Sequence, residues 1–183
     1  MSIDTTRSEV AQFAVEQGAD IVNDISAGNM DDKMISTVAA LNVPYIYMHM
    51  QGRPETMQTA PTYDNVTNDV IAFFKDKIAV LKEAGIQEII IDPGFGFGKT
   101  IEHNYQLMKE LEQFHQLELP LLVGVSRKSM IYKLLETTPE EALNGTTMLN
   151  TIALMHGAHI LRVHDVKAAK EVLKLYNQLR LKA

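Results

Sequence analysis

Asp4, Asn23, Met48 with His49, Asp92, Gly124 through Lys128, and Arg162 with His164 each close a short β-branched run. Two chemistries are represented. Asp4, Asn23 and Asp92 offer carboxylates and an amide, which suit a flat heterocycle with several N–H donors and acceptors. Arg127, Lys128, Arg162 and His164 offer a cationic side, which suits an anionic leaving group or a carboxylate. Arg162 and His164 alternate with Leu161 and Val163, so both point to one strand face, and a buried arginine there needs an anion. In GVSRKSM a strand runs into a helix whose first turn holds Ser126 through Ser129. Free amides, the helix dipole and the cationic side chains favour phosphate or carboxylate at that point. Each residue alone has an ordinary explanation. Asp4 is equally a helix cap, Asn23-Asp24 and Asp92-Pro93-Gly94 are equally turns, and Met48 is equally core. His49 reads as a locally satisfied histidine, and Arg127 with Lys128 as a solvated helix start. The convergence of the strand ends carries the argument.

The stretch IIIDPGFGFGKT, residues 89 to 100, invites a nucleotide reading that its register denies. A P-loop needs Gly, four residues, then Gly-Lys-Ser/Thr. The first glycine would then be residue 93, which is Pro93. The G-x-G-x-x-G pattern begins with Gly94 and Gly96 but ends on Lys99. What remains is an acid, Asp92, at the end of a β-branched run, followed by a glycine loop with two aromatic rings.

These residues must be positioned by the elements around them. The runs SIDT (2–5), DIVNDI (20–25), PYIYMHM (44–50), EIIIDPG (88–94), LLVGVS (121–126) and HILRVHD (159–165) read as strands. Helical patterns lie between them. RSEVAQFAVEQGA has Ser8 as its expected N-cap and stops at Gly18. NVTNDVIAFFKDKIAVLKEAG spaces Val70, Phe73, Phe74, Ile78 and Leu81 helically and stops at Gly85. TPEEALNGTTMLNTIALMHG opens with a capping box, Thr138 to Glu141, has Pro139 at the first helical position, and ends at Gly157. Strands alternating with helices predict an α/β fold with a parallel, helix-covered sheet. Both an open doubly wound sheet and a (β/α)8 barrel satisfy this pattern, and both place the site at the carboxyl ends of the strands.

Composition removes other classes. The 183 residues suffice for one domain, and 46% hydrophobic with 22% charged residues is the balance of an ordinary soluble globular protein. There is no cysteine, which excludes a disulfide scaffold or a thiolate site and suits a reducing cytoplasm. The opening MSIDTTRSEV has no apolar h-region, so no signal peptide is expected. No run approaches the ~20 apolar residues of a membrane span. A net charge of −6 argues against nucleic acid as a partner.

SIDT, IVNDIS, YMHMQGRPETMQ, IIIDPGFGFGK, LLVGVSRKSMI and LRVHDV, in this order, resemble the successive strand-end motifs of dihydropteroate synthase. The resemblance covers essentially the whole chain. It implies a (β/α)8 barrel and a transferase of folate synthesis, joining a dihydropterin-methyl pyrophosphate to p-aminobenzoate with release of pyrophosphate. It also implies roles. Asp4, Asn23 and Asp92 would bond the pterin edge, with Lys128 and Arg162 sandwiching the ring and Met48 and Gly124 lining the slot. Arg162 and His164 would hold pyrophosphate. Phe97, Lys128 and Ser129 would form the p-aminobenzoate site. Asp92, Lys128, Arg162 and His164 would be the catalytic set. Mg²⁺ is implied as cofactor, with its asparagine ligand in a unit unmatched here and no metal residue in this chain. The implied assembly is a homodimer through the last helices, with Met148, Leu149, Ile152 and Met155 as candidates.

The family pattern begins with two further β-α units that the 183 residues do not match. The expectation is therefore a single pterin-binding domain, residues 1–183, corresponding to the C-terminal six β-α units and truncated at its N-terminus. Two other readings stand beside synthase activity. One is a partial chain that needs the missing units. The other is a pterin-dependent methyltransferase, which would have no use for an Arg-x-His clamp or SRKS.

Overall fold

A computed structural model describes residues 1–180 apart from 53, 55 and 58; three positions of the YMHMQGRPETMQ stretch thus lie outside the described residues. The elements alternate as expected: β1 (Ser2–Asp4), α1 (Ser8–Glu16), β2 (Ile21–Asp24), α2 (Met34–Leu41), β3 (Tyr45–Met48), α3 (Val66–Glu83), β4 (Ile89–Asp92), α4 (Ile101–Lys109), β5 (Leu122–Val123), α5 (Ser129–Tyr132), α6 (Leu143–Met155), β6 (Ile160–Leu161) and α7 (Val166–Arg180). A 3₁₀ segment, Leu111–Leu117, leads into β5.

Strands β1 to β4 pair in parallel in sequence order, and β5 pairs in parallel with β6. A parallel bridge between Ile91 and Leu121 joins the two sheets, so the six strands follow one another around an arc. The arc is concave. Ser2, Ile21, Ile46, Ile90, Leu122 and Ile160, one from each strand, enclose a cavity of about 270 Å³. This is six β-α units of the (β/α)8 type.

Period-two alternation explains the layers. Val22, Tyr45, Tyr47, Ile89, Ile91 and Val123 point outward and are buried beneath helices with Ala11, Val38, Val70, Phe74 and Leu81 in one apolar cluster. Tyr47 stacks on Phe73 at 5.8 Å between centroids. Each fully buried aliphatic or aromatic side chain contributes roughly 1.5–3 kcal/mol to holding helix on sheet. The alternate residues point inward, and at the C-terminal end they are Asp4, Asn23, Met48 and Asp92.

Three helix starts differ from expectation. α5 begins only at Ser129, so Ser126 to Lys128 precede the helix and do not form its first turn. Ser8 is the first helical residue of α1, not its cap; its N–H donates to Asp31 Oδ2 at 2.7 Å. The Thr138–Glu141 capping box does not open a helix, because α6 begins at Leu143. The Arg127 guanidinium takes the Pro139 and Glu140 carbonyls at 3.0 and 2.7 Å, which holds that segment as a turn. The stop signals behave as read: Gly18, Gly85 and Gly157 follow their helices with positive φ. Asn65, not singled out in the sequence, caps α3 by accepting from Asn68 N–H at 3.0 Å.

Candidate active site

At the carboxyl end of the arc lies a cavity of about 360 Å³, lined by Asp4, Ile25, Met48, Asp92, Phe97, Gly124, Ser126, Lys128, Arg162, Val163 and His164. Eight of the ten sequence-predicted site residues are in this lining. The other two adjoin it. Asn23 donates from Nδ2 to Asp4 Oδ1 at 2.8 Å. Its buried Oδ1 has no partner among the described residues, an unmet acceptor in the wall between β1 and β2. Ser129 follows Lys128 at the start of α5. That helix has one turn, so the dipole expected to favour a carboxylate there is small.

Asp92 anchors the cavity floor. It is 5% exposed, and its Oδ1 accepts from Gly94 N–H at 2.8 Å. Burial pushes its carboxyl above the ordinary range, against the pull of Lys128, the Gly94 amide, Lys99 and Arg162. Lys128 crosses the glycine loop. Its Nζ donates to the Phe95 carbonyl and lies over the Phe97 ring, 4.7 Å from the centroid. Burial brings this lysine down to about 8, opposed by Asp92 and assisted by Arg162. The result is an acid, a cation and an aromatic face on one wall.

The opposite wall belongs to β6 and β1. Arg162 and His164 both face the cavity, as their alternation requires. They are not buried, however: the Arg162 side chain is 45% exposed and pairs with the 56% exposed Asp4 carboxylate across the mouth. The strand ends at Leu161, and Arg162 begins the loop, which lets solvent reach it. Ser126, among the strand-end residues but given no role by the resemblance, also lines the cavity. Its Oγ accepts from His164 N–H at 3.1 Å and lies 3.0 Å from His164 Nδ1, fixing the imidazole. Its place at the end of LLVGV was the available signal. Ile25 and Val163 also line the cavity with no signal beyond their neighbours. Ile25 is held there because buried Asp24 accepts from Ser26 N–H, Ser26 Oγ, Gly28 N–H and Tyr45 OH at 2.7–2.8 Å.

Arg127 is a correction. It does not join the cationic side of the cavity. Its Nε and Nη2 both donate to the Asp165 carboxylate at 2.8 Å, and its backbone adopts φ 54°. This bidentate pair ties the loop after β5 to the loop between β6 and α7 and leaves Lys128, the next residue, to enter the cavity. His49 is a satisfied histidine as read: it is buried, with Nδ1 3.0 Å from Lys99 Nζ.

The donor set does not fit a resident metal. Among the described residues no three His, Cys, Asp or Glu side chains gather to hold one, and the anion-facing wall is itself cationic. Among the described residues, no helix is long and apolar enough to cross a membrane.

A parallel strand arc with an acid, a lysine and an arginine-histidine pair at its carboxyl end defines an α/β site of the barrel type. The profile of the pterin-binding enzymes matches residues 1–164, and the chain belongs to that family. Dihydropteroate synthase of Escherichia coli K12 is 46% identical over 177 residues, covering 96% of this chain and 62% of the relative. The crystal structure of Yersinia pestis dihydropteroate synthase with a sulfonamide drug complex superposes with a TM-score of 0.95 at 41% identity, covering 98% of this chain and 66% of that one. Xanthomonas albilineans dihydropteroate synthase with 4-aminobenzoic acid superposes at 0.92 and 37% identity, covering 100% and 65%. The chain therefore spans a little under two thirds of the length of these relatives.

Proposed function

We propose that the cavity carries out dihydropteroate synthesis. The observation that supports this best is the division of one cavity into a buried acid beside an aromatic-lysine wall and an open Arg-His wall. In this reading Asp4, Asn23 and Asp92 bond the pterin edge, with Met48 and Gly124 along the slot. Lys128 and Arg162 bracket the ring. Phe97, Lys128 and Ser129 receive p-aminobenzoate.

The chemistry balances without a protein nucleophile. The methylene carbon–oxygen bond breaks, and pyrophosphate leaves with the bonding pair. The positive charge left behind spreads into the pterin ring, where the Asp92 carboxylate stabilises it as it develops. Arg162 and His164 stabilise the departing anion. The amine nitrogen, held against Phe97, bonds the methylene carbon and releases one proton. Holding both partners in an attack geometry supplies much of the acceleration. A homodimer through α6 fits the exposure of Met148 and Met155, 63% and 66%, whereas the other two candidates, Leu149 and Ile152, pack in or against the core; a cysteine-free chain suits the cytoplasm.

Two measurements test this. Incubating the chain with dihydropterin-methyl pyrophosphate, p-aminobenzoate and Mg²⁺ should release pyrophosphate and form dihydropteroate. Pyrophosphate alone should raise the melting temperature, and raise it less in Arg162→Ala. Equal protection of both proteins would place the anion elsewhere.

A further inference from the structure

Lys99 is 3% exposed and lies outside the cavity lining. The nucleotide reading of its motif failed, and the chemistry above does not use it. A buried ammonium must find partners for its three N–H donors, and Lys99 finds three. Its Nζ lies 3.0 Å from His49 Nδ1 and donates to the Gly94 carbonyl at 3.0 Å and the Phe97 carbonyl at 3.1 Å. Burial brings Lys99 down to about 7, opposed by Asp92. Burial also holds His49 neutral, with its pKa down to about 3, and because the facing ammonium has only donors, Nδ1 acts as the acceptor. The His49 ring is itself fixed edge-on against Phe73 at 4.9 Å.

The three acceptors define what Lys99 holds. Gly94 and Phe97 are the two ends of the turn closed by Phe97 N–H to Gly94 O at 3.0 Å. His49 follows Met48 at the end of β3. The ammonium therefore pins both ends of that turn to the neighbouring strand end. Phe97, at the end of the turn, presents its ring to the cavity under Lys128.

The acid side of the site is held by other contacts. Gly94 N–H bonds Asp92 Oδ1 at 2.8 Å, and His49 N–H bonds the Asp92 carbonyl at 2.9 Å. Neither bond involves Lys99, which reaches this side only through its charge, drawing the Asp92 carboxyl down. We propose that Lys99 is a positioning residue for the aromatic-amine half of the site, fixing the Phe97 ring through the Gly94–Phe97 turn without touching substrate. That the amine is p-aminobenzoate rests on the synthase reading; the positioning of Phe97 does not.

The test uses the full chain and Lys99→Met, which keeps the apolar stem and removes the donors. Calorimetry should show pterin-6-carboxylate affinity reduced about threefold at most, the effect of losing the Lys99 charge that acts on Asp92. Affinity for p-aminobenzoate, added in the presence of that pterin, should fall about tenfold or more, as for the loss of one well-made bond at the contact wall. A residue that only stabilises the fold would weaken both ligands alike, and equal loss, or no loss, overturns the proposal. If Lys99→Met does not fold, His49→Leu removes a single acceptor, and the same selective loss, about threefold, is expected. If wild type binds neither ligand, the synthase reading falls, and amide hydrogen exchange decides this one. Faster exchange at Phe95 to Gly98 in the variant supports it, and unchanged exchange overturns it.

Discussion

On the β3–β4 side of the cavity, Lys99 and Asp92 are 3% and 5% exposed and the backbones of two loops are in close contact. On the β1–β6 side, Asp4 and Arg162 are 56% and 45% exposed and meet only through their side chains. The first side has no slack. Gly94, at φ 70°, and Gly98, at φ 62°, bring the glycine loop so close to the β3 end that an added Cβ would overlap the His49 and Gln51 carbonyls. The second side is a solvent-screened pair, worth about 0–1 kcal/mol. A rigid wall suits recognition of a flat ring, whose donors must meet fixed acceptors. An open cationic wall suits an anion that arrives hydrated and departs, because exchanging Asp4 for an incoming anion on Arg162 costs little.

Substitution at Gly94 breaks the rigid side most. Gly94→Ala meets backbone at a left-handed φ, and strain with overpacking should cost roughly 2–4 kcal/mol, read as a lower urea midpoint. A loss below about 0.5 kcal/mol would mean that the two loops are not in register contact. An intermediate effect is expected with pH. Native His49 has its pKa lowered to about 3, and unfolded histidine lies near 6.5. Between those values the unfolded chain binds more protons, so stability falls as pH falls through that window, by at most about 1.4 kcal/mol per pH unit. His49→Asn should flatten the difference in melting temperature between pH 6.5 and pH 4.5. Identical pH profiles would show that His49 titrates freely in the folded state. The smallest effect is expected on the open side. Asp4→Ala should change stability by no more than about 1 kcal/mol, and a larger loss would mean that the Asp4–Arg162 pair is structural.

The same contrast governs what was legible in the amino-acid order. Strand ends were readable because period two and the α/β alternation place Asp4, Asn23, Met48 and Asp92 on one inward face without any knowledge of the helices. The helix stops at Gly18, Gly85 and Gly157 were readable because they depend on the local backbone. Long-range partners were not. Arg127 looks like pocket charge beside Lys128, and only the approach of Asp165, 38 residues later, shows that it is already paired. The same guanidinium claims the Pro139 and Glu140 carbonyls, so a sound local capping signal lost to a tertiary bond. Lys99 could not be assigned at all, since its partner His49 lies 50 residues away. The partial exposure of Arg162 followed from a strand that stops at Leu161, four residues before the end of the run read as a strand.

The central claim is that the buried acid ending β4 recognises a pterin. Asp92→Asn keeps the size and the hydrogen bond from Gly94 but removes the charge. Isothermal calorimetry with pterin-6-carboxylate should show wild-type binding and a loss of about tenfold or more in the variant, as for a charge-assisted bond worth roughly 1.5–3 kcal/mol. Pterin affinity unchanged by the substitution would contradict the account.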